Sequence, residues 1–220
     1  MINKNKIYTY LGYNPKTNIL TEDIVKMVDE GIDEVNSIAT KKCIFSPILP
    51  VNLGENAFVE GLELKGKDIL THLENCFGII LTAVTLGTSV DNLIRKYETT
   101  NITKAVVIES ICNVIIEEVA DNYEDELRTR LKQNNLFATC RYSPGYGDLP
   151  INIQQDILNI LDANRKIGLT VSSSGIMIPR KSITGILGIS NVHVKGKLAG
   201  CKNCVLKDKC TFIKRGISCN

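Results

Sequence analysis

The sequence has no tryptophan, five phenylalanines, seven tyrosines and only two histidines among 220 residues. With aromatics at 5%, Ile, Leu and Val must fill most of any core. His72 and His193 stand alone, so each is expected to be a surface or structural residue and not a metal ligand. An excess of one charge is also missing. The net charge is +2, and the basic residues are spread out apart from a cluster near the C-terminus. A dedicated nucleic-acid binder needs a concentrated basic face, which sets that class aside. No apolar run reaches the length of a membrane span. Met1-Ile2-Asn3-Lys4-Asn5-Lys6 leads into no long apolar stretch, so no secretory signal is expected. The expectation is a soluble, cytoplasmic protein with no nucleic-acid and no membrane partner.

What is present is ordinary for a globular chain: 44% hydrophobic and 23% charged residues. The length suits one large domain, or one domain with an appendage. In a reducing compartment the eight cysteines should be thiols. Cys43, Cys76, Cys112 and Cys140 lie among apolar neighbours and read as buried small hydrophobes. The other four crowd into the last 20 residues.

Apolar positions Ile24, Val25, Val28, Ile32 and Val35 form one stripe of a helix over 21–38, with Thr21 as its cap. Two prolines make 42–51 an edge or irregular strand. Alternation predicts a half-buried strand over 58–64, and a short helix follows over 67–73. The continuous apolar run 76–86 predicts a buried strand. Gly87-Thr88-Ser89 begins a helix over 90–97. The longest element is a helix over 103–131, with Ile108, Cys112, Ile115, Val119, Tyr123, Leu127 and Leu131 at steps of three or four. Further strands are expected over 137–142, 168–171, 176–178 and 183–189, with a helix carrying Ile153, Ile157, Ile160 and Leu161. Strands and helices do not alternate regularly. The fold class is therefore α+β: a single domain with a mainly antiparallel sheet flanked by helices. The only compositional break separates residues 1–195 from a Lys- and Cys-rich tail, 196–220.

Arg141-Tyr142-Ser143-Pro144-Gly145-Tyr146 places a permanent cation, a rigid turn and an aromatic ring within six residues. Gly145 lets backbone approach a ligand closely, and Pro144 stiffens the approach. Arg141 can hold a carboxylate through paired hydrogen bonds. Tyr146 can stack on a flat ring or a cation. A plain strand-to-helix turn with a surface Arg would carry the same residues.

Arg-x-x-Pro-Gly-Tyr resembles the S-adenosylmethionine-contacting turn in the activation domain of cobalamin-dependent methionine synthase. The likeness continues through Ile167-Gly168-Leu169-Thr170, Ser173-Ser174-Gly175-Ile176-Met177-Ile178-Pro179 and Ser182-Ile183-Thr184-Gly185, in that domain's order and spacing. The resemblance implies that the chain binds S-adenosylmethionine and presents its methyl group to cobalamin that has slipped to an inactive state. Arg141 would grip the methionyl carboxylate, the backbone at Ser143 and Gly145 would contact the ligand, and Tyr146 would help line the pocket. Glu117 on the long helix resembles the acidic residue used at the ligand's amino group, with Glu118 and Asp121 as alternatives. The pattern departs from the family in having no Asp-x-His-x-x-Gly cobalt-ligand motif. The resemblance is therefore to stand-alone homologues, and cobalamin would arrive on a methionine synthase or another corrinoid protein, with an electron from a flavodoxin- or ferredoxin-type reductant. No catalytic residue is expected, since positioning of the methyl carbon carries the methyltransferase chemistry. A regulatory module that binds S-adenosylmethionine without chemistry is the alternative, as is an electron carrier.

Cys201-x2-Cys204-x5-Cys210-x8-Cys219 offers four soft ligands. Four thiolates can bind Zn²⁺ tetrahedrally or hold an iron–sulfur cluster. The favoured reading is such a metal or cluster site, on ligand number and softness. A redox dithiol at Cys201 and Cys204, or an unligated tail, are the other readings.

Overall fold

The computed structural model describes residues 2–13, 19–194 and 196. The chain begins with helix α1 (Lys4–Tyr10), then α2 (Glu22–Ile38). Thr21 caps α2 as expected, its Oγ1 accepting the Ile24 N–H at 3.4 Å. Strands β1 (Lys42–Phe45) and β2 (Leu49–Pro50) follow, then β3 (Asn52–Leu53), β4 (Ala57–Val59) and β5 (Leu62–Leu64). After α3 (Lys67–His72) come β6 (Gly78–Thr85), α4 (Thr88–Thr100) and the long α5 (Ile102–Lys132). The C-terminal part holds β7 (Phe137–Ala138), a 3-10 turn (Ile151–Ile153), α6 (Gln154–Leu161), α7 (Ala163–Ile167), β8 (Thr170–Val171), β9 (Met177–Ile178) and β10 (Ser182–Ser190).

The main sheet runs β1-β6-β10-β7, with β2 also on β6, and every ladder is antiparallel. The fold is thus α+β, as the sequence predicts. β6 is buried along its whole length, which explains its uninterrupted apolar run. Its alternating side chains serve two cores. Ile79, Leu81 and Ala83 pack with α3, α6 and α7, whereas Val84 packs with α1, α2, α4 and α5. Full burial of each such Ile or Leu contributes about 1.5–3 kcal/mol. Ile80 joins a third cluster with Leu187, Ile189 and Leu131 near the end of α5.

Two expectations change, and one element is new. The strand expected over 58–64 is a hairpin, β4 against β5. Glu60 and Gly61 take φ of 47° and 84°, the left-handed pair that closes a two-residue turn. The strand expected over 137–142 pairs with β10 only at Phe137–Ala138 and again through a lone bridge from Tyr142 to Ile186. Helix α1 lies outside the sequence reading; it buries Ile7 and Tyr8 against α5. Cys201, Cys204, Cys210 and Cys219 lie outside the described residues, as does nearly all of the 196–220 segment.

Candidate functional site

The site is built where α5 passes over the free edge of the sheet. Asn113, Glu117, Asp121, Glu124 and Arg128 recur at helical spacing and so form one polar row on α5. Arg141 leaves the edge segment after β7 and reaches across to this row. Its Nη2 donates to Glu117 Oε2 at 2.7 Å and to Asp121 Oδ1 at 3.2 Å, and Nη1 donates to Glu124 Oε1. The Arg141 side chain keeps only 13% of its exposure and Glu124 8%, whereas Glu117 keeps 42% and Asp121 60%. The cage therefore has a buried floor and an open rim.

Burial pushes the Glu124 carboxyl above its ordinary value, and the Arg141 and Arg128 charges only partly oppose this. Burial works to lower the Arg141 guanidinium, but Glu124, then Glu117 and Asp121, outweigh it and hold the value above normal. At the end of the row, Arg128 donates to the carbonyls of Ala138 and Thr139 at 2.6 Å each, fixing the backbone that leads into Arg141.

Beyond Arg141 the chain turns. Tyr142 pairs with Ile186 in both directions, at 3.0 and 2.9 Å, so the backbone amides of Arg141 and Ser143 are directed away from the sheet. The Ser143 carbonyl accepts the Tyr146 N–H at 3.1 Å, and Gly145 N–H donates to the Leu149 carbonyl at 2.9 Å. Gly145 adopts φ 89°, a conformation that a side chain would strain. Tyr146 remains 44% exposed, its ring edge-on to Tyr142 at 6.1 Å. Side chains alternate across this edge: Arg141 points to α5, and Tyr142 points into the core beside α3.

The sequence candidates are thus brought together in part. Arg141 and Glu117 touch, and Asp121 shares the same guanidinium. Glu118 turns the other way and accepts the Asn3 N–H at 2.8 Å, so it does not belong to this cluster. Ser143, Gly145 and Tyr146 form the adjoining turn. Sequence reading missed Glu124 and Arg128, although the spacing from Glu117 carries both on one helix face. His72 is a fully buried structural residue, its Nε2 2.8 Å from Thr139 Oγ1. Among the described residues no group of His, Cys, Asp or Glu is arranged to hold a metal ion, and no helix is long and apolar enough to cross a membrane.

The family model described as "Vitamin B12 dependent methionine synthase, activation domain" matches residues 68–195, more than half of the chain. No curated protein matches. Among solved structures, the crystal structure of the MetH reactivation domain bound to AdoHcy is similar, with a TM-score of 0.64. The match covers 99% of this chain and 82% of that one at 13% identity, a likeness of fold.

Proposed function

The chain belongs to the family of vitamin B12-dependent methionine synthase activation domains, and we propose that it reactivates a cobalamin-dependent methionine synthase or a related corrinoid protein. It does so by binding S-adenosylmethionine and presenting the methyl group to cobalamin carried on that partner. The observation that carries this reading is the Arg141 cage at the sheet edge, continuous with the glycine turn that holds Ser143, Gly145 and the exposed Tyr146. The similar MetH reactivation domain was crystallised with AdoHcy, the thioether left when S-adenosylmethionine loses its methyl group.

The residues present fit the methionyl end of such a ligand. Its carboxylate needs a cation, and its ammonium needs an anion; the cage offers both signs. Glu124 is buried and stays on Arg141, while Glu117 and Asp121 sit at the rim and are free to exchange. The ligand carboxylate takes a guanidinium N–H that a rim carboxylate releases, and that carboxylate then receives the ammonium. The outward amide of Ser143, the close backbone approach allowed at Gly145 and the exposed Tyr146 ring serve the rest of the molecule. Cobalamin on the partner would supply the nucleophile for the sulfonium methyl, with one electron from a flavodoxin- or ferredoxin-type donor, and AdoHcy would leave as the thioether. This chain's part is placement of the methyl carbon, which needs no general base.

The tail ligands Cys201, Cys204, Cys210 and Cys219 are proposed to hold zinc or an iron–sulfur cluster, on the strength of four thiols within one short segment. Metal analysis and the visible spectrum of anaerobically purified protein distinguish the two. The cytoplasm is the proposed location.

The function is tested by reactivation. An inactivated cobalamin-dependent methionine synthase that lacks its own activation domain is incubated with reductant, S-adenosylmethionine and this chain. Recovery of turnover that requires all three supports the reading. Recovery without the chain, or none with it while S-adenosylmethionine is bound, contradicts it.

A further inference from the structure

Helix α3 meets the glycine turn at both of its ends. Its first turn has no cap of its own, because Gly66 precedes it. Asp148, at the close of the glycine turn, supplies one from far along the chain. Its Oδ2 accepts the Lys67 N–H at 2.7 Å and its Oδ1 the Asp68 N–H at 3.1 Å. A carboxylate there satisfies two amide donors that the helix leaves open and suits its positive pole. The approach is close: a Cβ on Gly66 would collide with Asp148, and one on Gly147 with Asp68 and the Tyr142 hydroxyl. At the other end, His72 holds Thr139 Oγ1, which also accepts the Gly188 N–H at 2.8 Å. The Tyr142 ring lies 4.9 Å from His72, and its hydroxyl donates to the Tyr146 carbonyl at 3.2 Å.

The segment that carries Arg141, Ser143, Gly145 and Tyr146 is therefore tied to α3 at its start, middle and end. We infer that α3 is the positioning element of the ligand turn, and that Asp148 is the positioning residue, which orders Gly145 and Tyr146 before any ligand arrives. A turn held only by its own short-range bonds would sample many backbone states, and binding would have to pay the ordering entropy. Both Asp148 oxygens are engaged by α3 amides, which suits the residue to holding the turn. The ligand named in the test rests on the proposed function; the ordering of the turn is a property of the free chain.

Asp148→Ala and Asp148→Asn are compared with wild type, in the whole chain, by hydrogen exchange, thermal unfolding and calorimetry with S-adenosylmethionine. In Asp148→Ala, exchange across 142–150 and the first turn of α3 rises about tenfold, and affinity falls by about the same factor. Other segments keep wild-type exchange. Asp148→Asn retains an acceptor and recovers most of both. Unchanged exchange across 142–150, or a rise shared equally by every segment, overturns the inference. If exchange changes as stated but wild type takes up no S-adenosylmethionine, the positioning stands and the proposed function fails.

Discussion

The Arg141 side chain crosses β10 at Gly185, where a Cβ would stand 2.5 Å from Arg141 Cγ and 2.8 Å from Cδ. The missing side chain is what lets the guanidinium lie flat between the sheet and the acidic row of α5. Gly185→Ala must displace either the Arg141 stem or the strand. Overpacking of this kind costs about 1–3 kcal/mol. The expected result is a lowered melting temperature, together with S-adenosylmethionine affinity reduced by about tenfold or more in calorimetry.

Glu124 sets a pH dependence. Because burial raises its carboxyl above the ordinary 4.5, its contribution favours the folded state fully below the unfolded value. That contribution is lost as pH rises through the folded value. The stability of wild type relative to Glu124→Gln should therefore decline as pH rises from below 4.5 through the raised folded value. Urea denaturation of both proteins across that range checks the sign. A difference that grows with pH would mean that Arg141 outweighs burial at this carboxyl.

The described cysteines should be slow to alkylate. Burial pushes the Cys43 and Cys76 thiols up to about 11 and Cys112 up to about 12, and it raises Cys140 as well. At about pH 7.5 almost no thiolate is present at these positions. Mass spectrometry after a brief iodoacetamide pulse should find them unmodified in native protein and modified after denaturation.

Much of the fold was legible because the central elements obey one rule each. The all-apolar run of β6 and the three-four spacing of α5 each name a single structure. The hairpin at β4 and β5 reads as one strand in the sequence, although its buried positions pass from Ala57 and Val59 to Leu62 and Leu64 and so change phase across Glu60-Gly61. Helix α1 is too short for periodicity to show; the Asn3 cap and the packing of Ile7 and Tyr8 against α5 define it. Within the site, the glycine turn and Arg141 stood out through residue type. Glu124 did not, because an acidic residue on a long helix reads as solvated until a buried cation is placed beside it. Between Glu117, Glu118 and Asp121 the deciding fact is helix rotation, which turns Glu118 toward Asn3.

Arg128 holds the backbone ahead of Arg141 by two short bonds from one guanidinium. Replacing it by Met keeps much of the packing but leaves both carbonyls without this donor, at a cost of about 1.5–3 kcal/mol. The denaturation midpoint should fall accordingly. Lys at the same position should restore less than half of the loss, since it lacks the forked geometry.

Calorimetry of S-adenosylmethionine binding to wild type and Arg141→Ala, side by side, tests the central claim most directly. Saturable binding to wild type and a loss of about tenfold or more in the variant are expected, with the fold retained by circular dichroism. Equal affinity in the two proteins would contradict it, as the Arg141 cage would then have no part in holding the ligand.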